Sequence, residues 1–177
     1  GLRYGHRDAL FMVFDFGGGT LDVTVMRRSG TGAAPRLDAL ASYGVQLGGL
    51  GIDEALREKV LERYASAIGR EELTLDALNE SSREALLAVA EGMKIQVNAH
   101  ATADVNPAAR VASRTIALTT THGEALPSRT LRMTLGELSG WIGETTERAV
   151  DCATQCLSLA GLGWGALDEV LLVGGSS

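Results

Sequence analysis

Apolar and polar residues follow two different periods along this chain. Near the start the period is two, as in half-buried strands. Leu10 to Asp15, Leu21 to Arg27 and Arg36 to Tyr43 are separated by glycine turns and predict a three-stranded antiparallel meander. The period then lengthens to that of helices. Gly48-Gly49-Leu50-Gly51 opens a helix predicted from Asp53 to about Ala67, with Asp53 as its cap and Leu56, Val60, Tyr64 and Ile68 on one face. Ser81-x-x-Glu84 reads as a capping box before Leu86, Val89, Ala90, Met93 and Val97, which recur at helical spacing. Ala101 to Arg114 is polar and irregular, and Thr115 to Leu118 with Arg129 to Met133 predict a short strand pair. A second capping box, Thr134-x-x-Glu137, leads into one long helix expected to run to Ala160, with Gly161 as its stop. Asp168 and Glu169 precede a last strand, Val170 to Val173.

The order is three strands, a helix, an inserted unit of helix and strands, a helix and a strand. It predicts an α/β fold, a ribonuclease-H-like lobe in which helices pack on a mixed sheet and ligand loops gather at strand ends. Residues 1–49 and 135–177 are expected to form the core of the lobe, with 50–134 as the inserted subdomain.

Composition narrows the function. The chain has 177 residues, 45% hydrophobic, enough for one domain or one domain with an insertion. A formal net charge of −6 and the lack of any basic run argue against a nucleic-acid partner; Arg27-Arg28 is an isolated pair. No apolar run reaches the length of a membrane span, no signal peptide opens the chain, and a cytoplasmic protein is expected. Cys152 and Cys156 share a helix face and read as reduced thiols, while His6, His100 and His122 are scattered and suggest no metal site. The chain opens without methionine and stops just after the last strand, so it is expected to be a piece of a longer protein.

The chemistry concentrates in Phe14 to Val25, F-D-F-G-G-G-T-L-D-V-T-V. A strand delivers Asp15 to a turn of three glycines, which can reach positive φ and approach a ligand without Cβ atoms. Free N–H groups in such a turn form a concavity for anions such as phosphate. Asp15 could hold a magnesium-bound water or take a proton from an attacking water, and the Thr20 hydroxyl could donate to a phosphate oxygen. A glycine-rich hairpin with a chance acid beside it is the alternative. A Walker-type loop is excluded because a strand follows and no lysine is near; a dinucleotide fingerprint is excluded because no helix opens on these glycines. Gly174-Gly175 lies at another strand exit, where bare backbone followed by Ser176 would admit a flat ring or a ribose.

D-F-G-G-G-T-L-D-V, L-G-G at Leu47 to Gly49, E-x-x-K at Glu91 to Lys94 and L-V-G-G-S at Leu172 to Ser176 occur in this order. In order and spacing the chain resembles the DnaK-type, seventy-kilodalton heat-shock chaperones, over the second lobe of their ATPase domain, an actin-like fold shared with sugar kinases. The resemblance implies that Asp15 organises the hydrolytic water and magnesium, that Thr20 lies beside the γ-phosphate, and that Asp22 lies near the bound cations, magnesium and also potassium. It makes Gly17, Gly18 and Gly19 a phosphate loop, and Gly174, Gly175 and Ser176 an adenosine loop. Glu91, Lys94 and Asn98, the last replacing a serine, would close over the ribose and adenine edge; read alone, Glu91 and Lys94 suit a helix-surface ion pair.

The chain departs from that pattern at Leu50 and Gly51, where acids are usual, and at Ile95, where some members have arginine. The resemblance implies a longer parent that binds and hydrolyses ATP, leaving ADP, and works with a J-domain co-chaperone, a nucleotide exchange factor and unfolded client peptides. The first phosphate loop and the catalytic lysine of that family are not in this stretch. By itself it is expected to turn over no ATP and to bind nucleotide at about millimolar strength, roughly 4 kcal/mol. Two alternatives are a small-molecule kinase of the same fold and a non-hydrolysing nucleotide-binding regulator.

Overall fold

A computed structural model describes residues 8–30, 35–98 and 110–175. His6, His100, Ser176, Ser177 and most of the stretch read as irregular after Ala101 lie outside the described residues. The chain forms two compact units, one made of residues to Gly51 together with those from Glu144, the other of Ile52–Gly143.

The first unit is built on β1 (Ala9–Phe16), β2 (Leu21–Ser29), β3 (Arg36–Val45) and β6 (Glu169–Val173), in the spatial order β3-β2-β1-β6. β1, β2 and β3 pair antiparallel, and β6 joins β1 in parallel. The sheet is therefore mixed, as the element order predicts. Register divides its two faces. Met12, Leu21, Val23 and Val25 are fully buried against Ala149, Cys152, Ala153, Cys156 and Leu157 of α4 (Gly143–Leu159). Val13, Asp15, Asp22, Thr24 and Ser42 fall on the opposite face by the two-residue alternation of strands. There Thr24 and Ser42 hydroxyls meet at 2.7 Å. Both cysteines are free and buried; burial raises their pKa, and the Cys156 thiol donates to the Val23 carbonyl at 3.3 Å. These are packing thiols, poor nucleophiles because burial disfavours the thiolate.

The second unit holds most of α1 (Gly49–Ile68), together with α2 (Glu80–Asn98), β4 (Val111–Ile116), β5 (Arg129–Thr134) and α3 (Leu135–Trp141). β4 and β5 form an antiparallel pair, and α2 buries Leu86, Ala90, Met93 and Val97 on one face. Tyr64 is fully buried but keeps its hydroxyl satisfied, donating to the Pro127 carbonyl at 2.8 Å.

Four local expectations need correction. The first helix starts at Gly49, not at Asp53, so Asp53 lies inside it and caps nothing. The start of α2 is capped by Asn79, whose side chain accepts from the Ser82 N–H at 2.9 Å, while the Ser82 hydroxyl accepts from the Thr119 N–H. The strand pair begins earlier than Thr115, at Val111. The long last helix is two helices, broken at Ile142; Gly140 and Gly143 flank the break and are weak helix formers. The Thr134–Glu137 capping box forms as read, but it starts the short α3, which groups with the second unit.

Arg63 explains that grouping. Its guanidinium donates to Glu137 at 2.7 Å and to the Arg132 carbonyl, and stacks 5.0 Å from the centre of the Trp141 ring. The Arg63 bond, helped by the Thr134 N–H, pushes the Glu137 pKa from 4.5 down to about 2. A lowered carboxylate pKa stabilises the fold above the unfolded value and is lost as pH falls through the folded one. The full shift would correspond to roughly 3 kcal/mol, but the side chain is 38% exposed and solvent screening leaves about 1 kcal/mol. Glu137→Gln is expected to cost that amount at pH 7, with the difference from wild type closing between about pH 4.5 and pH 2. Urea unfolding across that range checks it; a difference independent of pH would rule the ion pair out as its source.

Candidate functional site

β1 and β2 deliver two acids to one place. Asp15 and Asp22 are direct partners across the antiparallel pair, so both carboxylates stand on the same face, exposed, at the strand ends. Like charges directly opposite are unfavourable unless a cation or a donor intervenes. One donor is present: the Thr20 hydroxyl bonds Asp22 at 3.0 Å. Thr20 thus holds the second acid here, rather than standing with a free hydroxyl.

Between the strands the glycines are held from outside. The Gly17 N–H donates to the Thr20 carbonyl at 2.9 Å and closes the turn. The N–H groups of Gly49 and Leu50, at the start of α1, donate to the Gly17 and Gly18 carbonyls at 3.0 and 2.8 Å. With those carbonyls facing the helix end, the Gly18 and Gly19 N–H groups have no backbone partner among the described residues. A Cβ at either glycine would meet nothing within 4 Å, so there is free space beside both Cα atoms. Expectation and structure differ on why glycine is needed. None of Gly17, Gly18 and Gly19 adopts the left-handed region. The tight fit is at Gly48, where a Cβ would stand 2.5 Å from the Gly18 oxygen and 2.6 Å from the Gly19 nitrogen.

The β6 exit arrives beside Asp15. Val173 is paired with Asp15, and Gly174 follows in the left-handed region at φ 95°. A Cβ there would collide with the Phe16 carbonyl and lie 2.7 Å from Asp15 Oδ1. On the other flank Gly44, opposite Asp22, leaves room that a Cβ would take at 2.5 Å from Asp22 Oδ1. Each carboxylate therefore lies against bare backbone. Gly44 went unnoticed in the sequence; a glycine inside a strand is the one signal that marks it.

The remaining candidates are on α2. Glu91 and Asn98 are exposed, and Ile95 between them is 56% exposed. The surface ion pair between Glu91 and Lys94 does not form. Lys94 instead turns to Asp53 of α1, with Nζ 2.6 Å from Oδ1, both side chains largely buried at 19% and 9% exposure. The approach is an ion contact off hydrogen-bond alignment. Gly92 also has a use that the helix pattern did not reveal: the Arg114 guanidinium lies over it, 3.6 Å from where a Cβ would be, and bonds Gln96.

Two carboxylates, a hydroxyl and open N–H groups make a hard-oxygen and anion-receiving set that fits a magnesium-bound phosphate. No group of three or more His, Cys, Asp or Glu clusters among the described residues.

Comparison with known proteins gives the family of the chain. The family model described as Hsp70 protein matches residues 1–177. The chain is 31% identical over 176 residues to the chaperone protein DnaK of Methanothermobacter thermautotrophicus, covering 99% of this chain and 27% of that protein. It is 26% identical over 178 residues to the chaperone protein DnaK of Anaplasma marginale, covering 99% of this chain and 25% of that one. It is 25% identical over 182 residues to the mitochondrial heat shock 70-related protein 1 of Leishmania major, covering 98% and 25%. The chain spans about a quarter of the length of these relatives. With a mixed sheet, a glycine turn between two acids and a family match over its whole length, the chain belongs to the Hsp70 family.

Proposed function

We propose that this chain is the second lobe of the ATPase domain of a DnaK-type chaperone, and that its β1–β2 turn receives the β- and γ-phosphates of ATP. The observation that carries the reading is the turn itself: Gly17 and Gly18 carbonyls are tied back to α1, the Gly18 and Gly19 N–H groups have no backbone partner among the described residues, and the strands on either side bring Asp15 and Asp22 opposite each other. Asp15 is assigned the proton of the attacking water, and Thr20 is assigned to hold Asp22 in place beside it. Magnesium, when bound, neutralises charge developing on the phosphate oxygens; potassium is assigned as a second cation near Asp22. Glu91, Lys94, Asn98, Gly174, Gly175 and Ser176 are assigned to the nucleoside. The whole protein is proposed to hydrolyse ATP to ADP in order to control binding of unfolded client peptides, with a J-domain co-chaperone and an exchange factor, in the cytoplasm. No helix among the described residues is long and apolar enough to cross a membrane.

The free space beside Gly19 supplies a test. A Cβ at Gly19 would meet nothing within 4 Å, so the backbone has room for the side chain of Gly19→Asp. An anion at that place repels phosphate. MgADP affinity of the full-length protein is expected to fall by about tenfold or more, with an unchanged unfolding midpoint. Unaltered affinity would move the phosphates away from this turn.

A further inference from the structure

Asp53 is buried, yet it caps no helix. Its one close partner of opposite charge among the described ion pairs is Lys94, at 2.6 Å. A buried carboxylate far from any capping duty invites the question of what it holds. Lysine is a flexible side chain with much rotamer freedom, and freedom lost on binding a ligand weakens affinity. Lys94 has already lost it: its ammonium is anchored to an acid that is itself fixed inside α1. An ammonium has three donors, and an acid on one side leaves the others for a second acceptor. Lys94 remains 19% exposed, so that side is not sealed.

We infer that Asp53 is a positioning residue: it holds the Lys94 ammonium ready for the nucleotide and so sets nucleotide affinity without touching the ligand. This rests on the assignment of Lys94 to the nucleoside. The ordering cost of one such side chain corresponds to about a three- to tenfold change in dissociation constant. The sign separates this from sequestration. If Asp53 withheld Lys94 from the ligand, removing the acid would tighten binding.

The experiment is titration of the full-length protein with MgADP, comparing wild type, D53N, K94M and the double variant, with an unfolding midpoint recorded for each. Expected are a three- to tenfold weaker affinity for D53N, a loss at least as large for K94M, and a double variant no weaker than K94M alone. A purely structural pair would lower the midpoints and leave the affinities of the folded proteins unchanged, which overturns the proposal. Tighter binding by D53N overturns it as well. If K94M itself binds normally, the assignment of Lys94 to the nucleotide fails; if K94M weakens binding and D53N does not, only the positioning role fails. D53E keeps the charge and protects against a variant that does not fold: by displacing the carboxylate one methylene, it is expected to weaken affinity by about two- to threefold, and wild-type affinity in D53E counts against the role.

Discussion

Asp15→Asn in the full-length protein is expected to slow single-turnover ATP hydrolysis by about 10²- to 10⁴-fold while changing MgADP affinity by less than about threefold. The two effects separate because they depend on different groups. Hydrolysis needs a base for the attacking water, and asparagine of the same size offers none at neutral pH. Binding in the proposed site depends on the open N–H groups of Gly18 and Gly19, which the substitution leaves in place. The loss of one negative charge opposite Asp22 also relieves a like-charge pair, so the fold should not suffer. A hydrolysis rate within about threefold of wild type would remove Asp15 from the chemistry, and the open non-hydrolysing reading would then gain ground.

Gly174→Ala is expected to destabilise the first unit by about 3 kcal/mol, lowering the unfolding midpoint of this chain by roughly 6–12 °C. Two costs add. At φ 95° the residue is in a region that alanine enters only with strain, and its methyl would meet the Phe16 carbonyl and Asp15 Oδ1. The carbonyl belongs to a paired strand that cannot move aside without breaking the ladder to β2. Gly44→Ala is the control, because its methyl would meet mainly the Asp22 side chain, which can rotate away. A midpoint for Gly174→Ala equal to that of Gly44→Ala would show that the β6 exit is looser than these distances imply. Nucleotide affinity measured on the full-length Gly174→Ala variant should fall as well, since any relaxation of the clash displaces Asp15 or the glycine turn.

How far the residues alone reach depends on the range of the interaction. The meander, the last strand, the Thr134 capping box and the Asp15-glycine turn are local patterns, and each forms where it was read. Alternation and capping are decided by neighbours within a few positions, so sequence determines them. Asp53 shows the limit. Its place near a helix start is what a cap looks like in sequence, but the helix begins earlier because the Gly49 and Leu50 N–H groups find the Gly17 and Gly18 carbonyls, some thirty residues away in the chain. Asp53 is then free to pair with Lys94. The three glycines were legible as a turn, but which glycine has to be bare was not. Gly48 and Gly174 are required by backbone that arrives from distant strands and helices, and Gly44 by an acid on the neighbouring strand. Sequence thus determined the elements and the identity of the chemistry-bearing turn. Tertiary structure decided which carbonyls of that turn are tied back, what each acid lies against and where Lys94 is held, because those depend on approaches between segments whose separation in the chain carries no local pattern.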